Sequence, residues 1–192
     1  MRFLGNIEAR LDAKGRVFLP ATFRKVLEFG SEETLVMRKD VHQRCLVLYP
    51  ESVWNLRMDL LLQRISPWDS KQQEVLREYV ASALELTLDG NGRFLIPKAY
   101  LEMGGISQTV RFIGMNDTIE IWPAEKTTGS FLSQEEFASR LQAIMTGKGN
   151  DNDNENENEN DNDNENDNGN DNDNDNGNDN DNGNDNKYAQ DR

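Results

Sequence analysis

A chain of 192 residues with 35 acidic and 21 basic side chains carries a formal charge of −14 and has room for one or two domains. A single cysteine, Cys45, excludes an internal disulfide, and the longest apolar cluster, Met58 to Leu62, is broken by Asp59 and falls far short of the roughly 20 residues a membrane span needs. With no signal-peptide pattern at the start, the expected location is the cytoplasm, without membrane insertion.

In chain order, Val17, Phe18 and Leu19 form a short apolar run after Gly15. Pro20 then opens "PATFRKVLEFG", where Phe23, Val26 and Leu27 recur at helical spacing and Gly30 is the expected stop. "TLVMRKD" and "CLVLYP" follow as two β-rich runs around a polar turn at Lys39 to Arg44, which predicts a hairpin. Val53, Trp54, Leu60, Leu61 and Ile65 fit an amphipathic helix ended by Pro67. Asp69 is placed to cap a second helix bearing Val75, Leu76, Tyr79 and Val80.

The order of the first part then returns. "GRFLIP" precedes a short helix, "KAYLEMGG", and "TVRFIG" and "TIEIWP" flank a turn at Met115 to Asp117. "IEIWP" at 119 to 123 aligns with "LVLYP" at 46 to 50, each ending on an aromatic and a proline. A last helix is expected in "SQEEFASRLQAIM", with Ser133 and Glu136 at capping-box spacing and Phe137, Leu141 and Ile144 along one face.

Charge divides these segments. Residues 151 to 186 alternate Asn with Asp or Glu, hold 15 acidic and no basic groups, and include no apolar side chain. Nothing there offsets the entropy of ordering a backbone, so a disordered low-complexity tail is expected over 147–192. Residues 1 to 146 contain 19 acidic and 18 basic groups and are nearly neutral. Within them, residues 1 to 50 carry nine basic and six acidic groups, whereas residues 81 to 125 carry three basic and six acidic. Two readings of the tail remain open: a solvating extension, or a competitor for basic surfaces. A calcium loop is not among them, because from Asp171 the glycine falls at position 7 and Asn182 stands where the bidentate Glu belongs.

The strongest internal signal is "LDAKGRVFLP" at 11 to 20 and "LDGNGRFLIP" at 88 to 97. In Asp-x-x-Gly-Arg, a glycine supplies a positive φ and the aspartate accepts N–H bonds from the residues that follow, which makes a tight turn at the start of a strand. Asp12, Gly15, Asp89 and Gly92 are therefore the expected loop formers. The arginine after each glycine either projects outward or folds back onto its aspartate.

"FLGNIEARLDAKGRVFLPATFR" from Phe3 to Arg24, paired with "LDGNGRFLIPKAYLEMGG" from Leu88 to Gly105 and closed by "IEIWP", resembles the MraZ family of bacterial transcriptional regulators over residues 1 to about 145. The resemblance implies an α+β fold of two AbrB-like swapped-hairpin β-barrel repeats, at 1–50 and 81–125. Connecting helices would fill 51–80 and a C-terminal helix 126–146. It further implies a homo-oligomeric ring of eight or more subunits and a nucleoid-associated protein. Its target would be double-stranded DNA at short direct repeats upstream of the division and cell-wall gene cluster, its own gene included, with repression as the expected mode.

By position, the DNA-contacting motif falls on Asp12 to Arg16. Arg16 is the first candidate contact and Lys14 the second, followed by Arg10 and Arg24. Arg93 is the counterpart of Arg16, but its loop reads Gly90-Asn91 where the first has Ala13-Lys14, and its surroundings are acidic. Phosphate contacts are made by Lys and Arg, so the second copy reads as the more structural one, with Arg93 paired to Asp89 as the alternative to a DNA contact.

Other chemistries lack their residues. His42 and Cys45 stand alone and do not close a zinc site, and "GNGR" lacks the lysine and hydroxyl of a phosphate loop, so no catalytic residue, metal or cofactor is expected. Trp54, Trp68 and Trp122 sit beside apolar positions and read as core or subunit-interface packing. The rival to a DNA-binding regulator is a ring-forming scaffold or partner-binding protein of the same fold without DNA recognition, and Arg16 separates the two.

Overall fold

A computed structural model describes residues 2–126 and 131–147; the acidic tail lies outside the described residues. Met1–Gln142 form one compact unit, and Ala143–Arg192 are a second, described only as far as Gly147. The elements are mixed α and β. The first half contains β1 (Asn6–Arg10), β2 (Arg16–Phe18), α1 (Ala21–Phe29), β3 (Thr34–Lys39), β4 (Leu46–Pro50), α2 (Glu51–Leu62) and α3 (Ser70–Ala81). The second contains β5 (Ala83–Thr87), β6 (Arg93–Leu95), α4 (Lys98–Gly104), β7 (Thr109–Met115), β8 (Thr118–Pro123) and α5 (Gln134–Met145).

Six strands form one antiparallel sheet in the order β1-β7-β8-β4-β3-β5, and β2 pairs with β6 in a separate two-stranded ribbon. The order has a plain symmetry. Each half of the large sheet is a hairpin from one repeat flanked by a strand from the other, since β1 pairs with β7 and β5 with β3. The hairpins meet where β4 pairs with β8, Val47 opposite Glu120. The ribbon repeats the exchange, with Val17 of β2 opposite Phe94 of β6. Neither repeat therefore completes its own sheet.

Strand alternation divides the core in two. Leu35, Met37, Leu46 and Leu48 face the main cluster, which also holds Phe3, Phe23, Phe94, Phe112, Ile119 and Ile121. Edge-to-face contacts at 5.7 Å (Phe3 and Phe23) and 6.3 Å (Phe94 and Phe112) tie the ribbon and α1 to the sheet. On the other face, Val36, Val47 and Tyr49 meet Val53 and Trp54 of α2, and Trp54 stacks on Tyr79 of α3 at 5.6 Å. Trp122 occupies the place in the second repeat that Tyr49 holds in the first, and it is covered by Phe131 at 5.0 Å.

Element ends follow the local chemistry, Gly30 capping α1 as expected, and two readings, at α2 and at Trp68, depart from the pattern. The helix α1 ends at Phe29, but Gly30 stays right-handed and Ser31 takes the left-handed turn at φ 55°. Ser31 N–H donates to Glu28 O and Glu32 N–H to Leu27 O, which closes the last helical carbonyls without a left-handed glycine. The helix α2 stops at Leu62 instead of running to Pro67, and its Leu60 is half-exposed. Trp68 is 94% exposed, away from any core. As expected, Asp69 caps α3 through the N–H groups of Lys71 and Gln72, and Ser133 and Glu136 form a reciprocal box ahead of α5.

Candidate nucleic-acid interface

The two Asp-x-x-Gly-Arg segments fold into the same loop. In the first, Asp12 Oδ1 accepts from the backbone N–H of Lys14 and of Arg16, both at 2.9 Å, and Asp12 Oδ2 accepts from Arg16 Nε at 2.7 Å. In the second, Asp89 Oδ1 accepts from Asn91 and Arg93 N–H at 2.9 Å, and Oδ2 from Arg93 Nε at 2.9 Å. The main chain closes each turn identically, through Gly15 N–H to Asp12 O and Gly92 N–H to Asp89 O. Gly15 and Gly92 have φ of 81° and 79°, values that side-chain-bearing residues adopt only at a cost.

This bonding polarises both aspartates. Donation from the backbone N–H of Arg16, above all, holds the Asp12 carboxyl below the usual carboxylate range, against the desolvation that pushes it up; the Arg16 guanidinium and the Lys14 N–H add to the lowering. Asp89 is lowered for the same reasons, led by the backbone N–H of Arg93. Each aspartate is thus an ionised anchor that fixes the guanidinium beside it.

The ribbon then brings the two arginines together. Arg16 lies opposite Leu95 and Phe18 opposite Arg93, so all four share one face of a three-residue ribbon, while Val17 and Phe94 turn to the core at 1% and 2% exposure. Phe18 and Leu95 are about half-exposed on that face, and Arg93 lies over the Phe18 ring at 5.6 Å. Arg16 and Arg93 are diagonal neighbours, a relation that spaces residues about 7–8 Å apart in an antiparallel pair, with Cβ atoms somewhat closer. Each loop also grips the other repeat: Gly15 O accepts from Ile96 N–H and Gly92 O from Leu19 N–H, both at 3.0 Å.

The remaining candidates take different places. Lys14 is exposed at the tip of the first loop. Arg10 is exposed at the end of β1, where its Nη2 donates to Gln108 Oε1 at 3.4 Å. Arg24 is half-buried, and although it belongs to the first repeat it lies across the second loop, its Nη1 donating to Asn91 O at 3.5 Å. The Asp–Arg pair expected at Arg93 is present, but Arg16 makes the same pair, so pairing does not separate the two motifs. In both pairs Nε donates to the carboxylate Oδ2, and Arg93 Nη2 lies 2.9 Å from Asp89 Oδ2.

Sequence reasoning missed the shared face. In the sequence Phe18 and Leu95 are members of short apolar runs with nothing to set them apart from their neighbours, and Arg16 and Arg93 are parts of separate repeats. The signal was available in the repeat itself, because two copies of a three-residue strand related by a pseudo-two-fold can pair with each other. The readings of the other polar and aromatic residues are sharpened. Burial pushes the Cys45 thiol up to about 12, His42 is exposed in the turn, and no cluster of three metal-binding side chains exists among the described residues. Trp122 is nearly buried, with Nε1 donating to Glu120 Oε2 at 2.7 Å.

A family model described as "MraZ protein, putative antitoxin-like" matches residues 2–74 and 80–139, which include both loops and both ribbon strands. A protein of Phocaeicola vulgatus named "Transcriptional regulator MraZ" is 54% identical over 150 residues, covering 78% of this chain and 97% of its own. A Bacteroides fragilis protein of the same name is 53% identical over 145 residues, covering 76% of this chain and 92% of its own. One from an Anaeromyxobacter species, also so named, is 37% identical over 120 residues, covering 62% and 82%. With the family model spanning the tandem loops and relatives at this identity over nearly their full length, the chain belongs to the MraZ family.

Proposed function

We propose that this protein is a sequence-specific, DNA-binding transcriptional regulator whose ribbon face contacts double-stranded DNA at short direct repeats. The observation that carries the reading is the placement of Arg16 and Arg93 on one exposed face, each guanidinium oriented by a carboxylate within its own loop. Oriented guanidinium groups recognise phosphate and base edges through paired donors, and a two-stranded ribbon is narrow enough for a major groove about 12 Å wide. The names of the relatives, transcriptional regulators, point the same way. Arg16 and Lys14 lead the contact set, with Arg93, Arg24 and Arg10 beside them; Asp12, Gly15, Asp89 and Gly92 hold the loops.

A nearly neutral body binds a polyanion weakly, so contacts must be multiplied. Exposed apolar side chains supply a route: Leu56, Leu60 and Leu62 on α2, Val75 on α3, and Phe137 and Leu141 on α5 are each at least 46% exposed. Self-association through these faces, in a ring of eight or more subunits, would align several ribbon faces along successive repeats. The exchange of β1 and β5 between repeats supports the swapped-hairpin, AbrB-like description of the fold. The targets in this reading lie upstream of the division and cell-wall gene cluster and include the chain's own gene, with repression as the mode, in the cytoplasm on the nucleoid. No catalytic step or cofactor is part of it.

The test is a gel shift on the DNA upstream of the chain's own gene. The wild-type protein retards fragments carrying the short direct repeats, and Arg16→Ala loses the shift while remaining folded. No wild-type shift on any such repeat would favour the alternative, a ring-forming scaffold or partner-binding protein of the same fold without DNA recognition.

A further inference from the structure

The second loop lacks a basic residue at its third position, where Asn91 stands in place of Lys14. The structure fills that position from elsewhere. Strand β2 runs past the second loop, Leu19 N–H donating to Gly92 O, and α1 therefore begins against that loop. Its Arg24 lies so close over Gly92 that a Cβ there would stand 2.3 Å from Arg24 Nη1. In the pseudo-symmetric position, the residue over Gly15 is Leu101 of α4, 3.8 Å from the same hypothetical atom. The symmetry is broken in a compensating pattern: lysine in the loop with leucine above it, or asparagine in the loop with arginine above it.

The Arg24 guanidinium has five N–H donors and little to receive them. Its contact to Asn91 O is 3.5 Å, at the outer limit of a hydrogen bond, and its Nε is buried with no partner among the described residues. Three carboxylates line the cleft beside Arg24: Glu28, one turn along α1, makes no ion pair with it among the described residues, and the other two have other partners. Asp89 holds Arg93, and Glu32 accepts from the hydroxyl and N–H of Ser52 at the start of α2. A half-buried cation left without a carboxylate is costly, unless a negative ligand completes its shell.

We infer that Arg24 is the phosphate-binding residue of the second loop, supplying in trans from the first repeat the charge that Asn91 does not carry. Each loop then offers two cations, Lys14 with Arg16 and Arg24 with Arg93, and the ribbon face is near-symmetric in charge although the two repeat sequences are not. The inference rests on the DNA-binding reading above, and its ligand is the phosphate backbone, a sequence-independent contact.

The test measures full-length protein binding to a two-repeat upstream fragment at several salt concentrations, using Arg24→Leu, Arg24→Leu with Asn91→Lys, and Arg16→Ala. Folding is checked by thermal melt and particle size. Arg24→Leu weakens binding about tenfold and lowers the slope of log K against log salt by about one per engaged subunit; adding Asn91→Lys restores both. Wild-type affinity in Arg24→Leu, with Arg16→Ala still impaired, overturns the role of Arg24 and leaves the DNA-binding reading intact. Failure of Asn91→Lys to restore binding in a folded protein also overturns it, since the role is then one of shape and not charge. Wild-type binding by Arg16→Ala overturns the DNA-binding reading and this inference with it.

Discussion

The loops Asp12–Arg16 and Asp89–Arg93 share every backbone and carboxylate bond of the motif but differ in what surrounds them. The first sits in a segment rich in cations and has a leucine packed over its glycine; the second sits in an acidic segment and has an arginine there. The aspartate and glycine thus determine the shape of the loop, and its charge is set by neighbours that need not belong to the same repeat. Local sequence composition is a poor guide to local field when strands are exchanged between repeats.

The largest effect expected from breaking the comparison is on DNA affinity. Arg16→Ala weakens operator binding about 10- to 100-fold, because the loss recurs in every engaged subunit, and Arg93→Ala weakens it less, since the Arg93 side chain is the more covered of the two, 24% exposed against 35%. Fluorescence anisotropy on one labelled fragment ranks the two. Equal losses would mean that the loops are functionally identical.

The glycines give a second contrast. Gly15→Ala places a Cβ 3.1 Å from the backbone carbonyl of Ile96 and forces a positive φ, for a cost of about 1–2 kcal/mol read from chemical denaturation. Gly92→Ala meets only the movable end of Arg24, so its stability cost is that of φ alone, while Arg24 is displaced. We expect Gly15→Ala to melt lower and Gly92→Ala to show the weakened salt dependence of Arg24→Leu.

Smaller again is Lys14→Ala, which removes the phosphate contact proposed for that exposed side chain. It should lower affinity evenly across DNA sequences and reduce the salt slope by about one per subunit, leaving the preference for repeats unchanged. The smallest effect is on acid stability. Asp12 and Asp89 have lowered folded-state values, so their contribution is complete above the ordinary carboxylate pKa of about 4 and is lost as pH falls through the lowered values. Asp12→Asn with Asp89→Asn therefore flattens the decline of Tm below about pH 4 and lowers Tm at neutral pH.

Much of the fold was legible in the sequence, because its signals are local. Helical spacing marked Phe23 and Leu27 as buried in α1, Asp69 and Ser133 announced helix starts, and the repeated aspartate and glycine gave the loops in full. What the sequence did not reveal depends on partners far apart in the chain. The pairing of β2 with β6 turns Phe18 and Leu95 outward, although both lie in apolar runs whose other members are buried. Arg24 could not be assigned to the second loop by distance along the chain, being 67 residues from Asn91. The helices show the converse limit. Leu60 and Val75 fit an amphipathic pattern but are exposed, because a helical face marks where apolar surface lies and not whether it is buried.

The central claim, that the exposed ribbon face is where DNA sits, is tested most directly by site-specific photo-cross-linking. A benzophenone amino acid is placed singly at Phe18, at Leu95, and at Val41, the last an exposed residue of the turn between β3 and β4. The account predicts that positions 18 and 95 cross-link to a repeat-bearing upstream fragment and that position 41 does not. Cross-linking from 41 with none from 18 or 95 would contradict it.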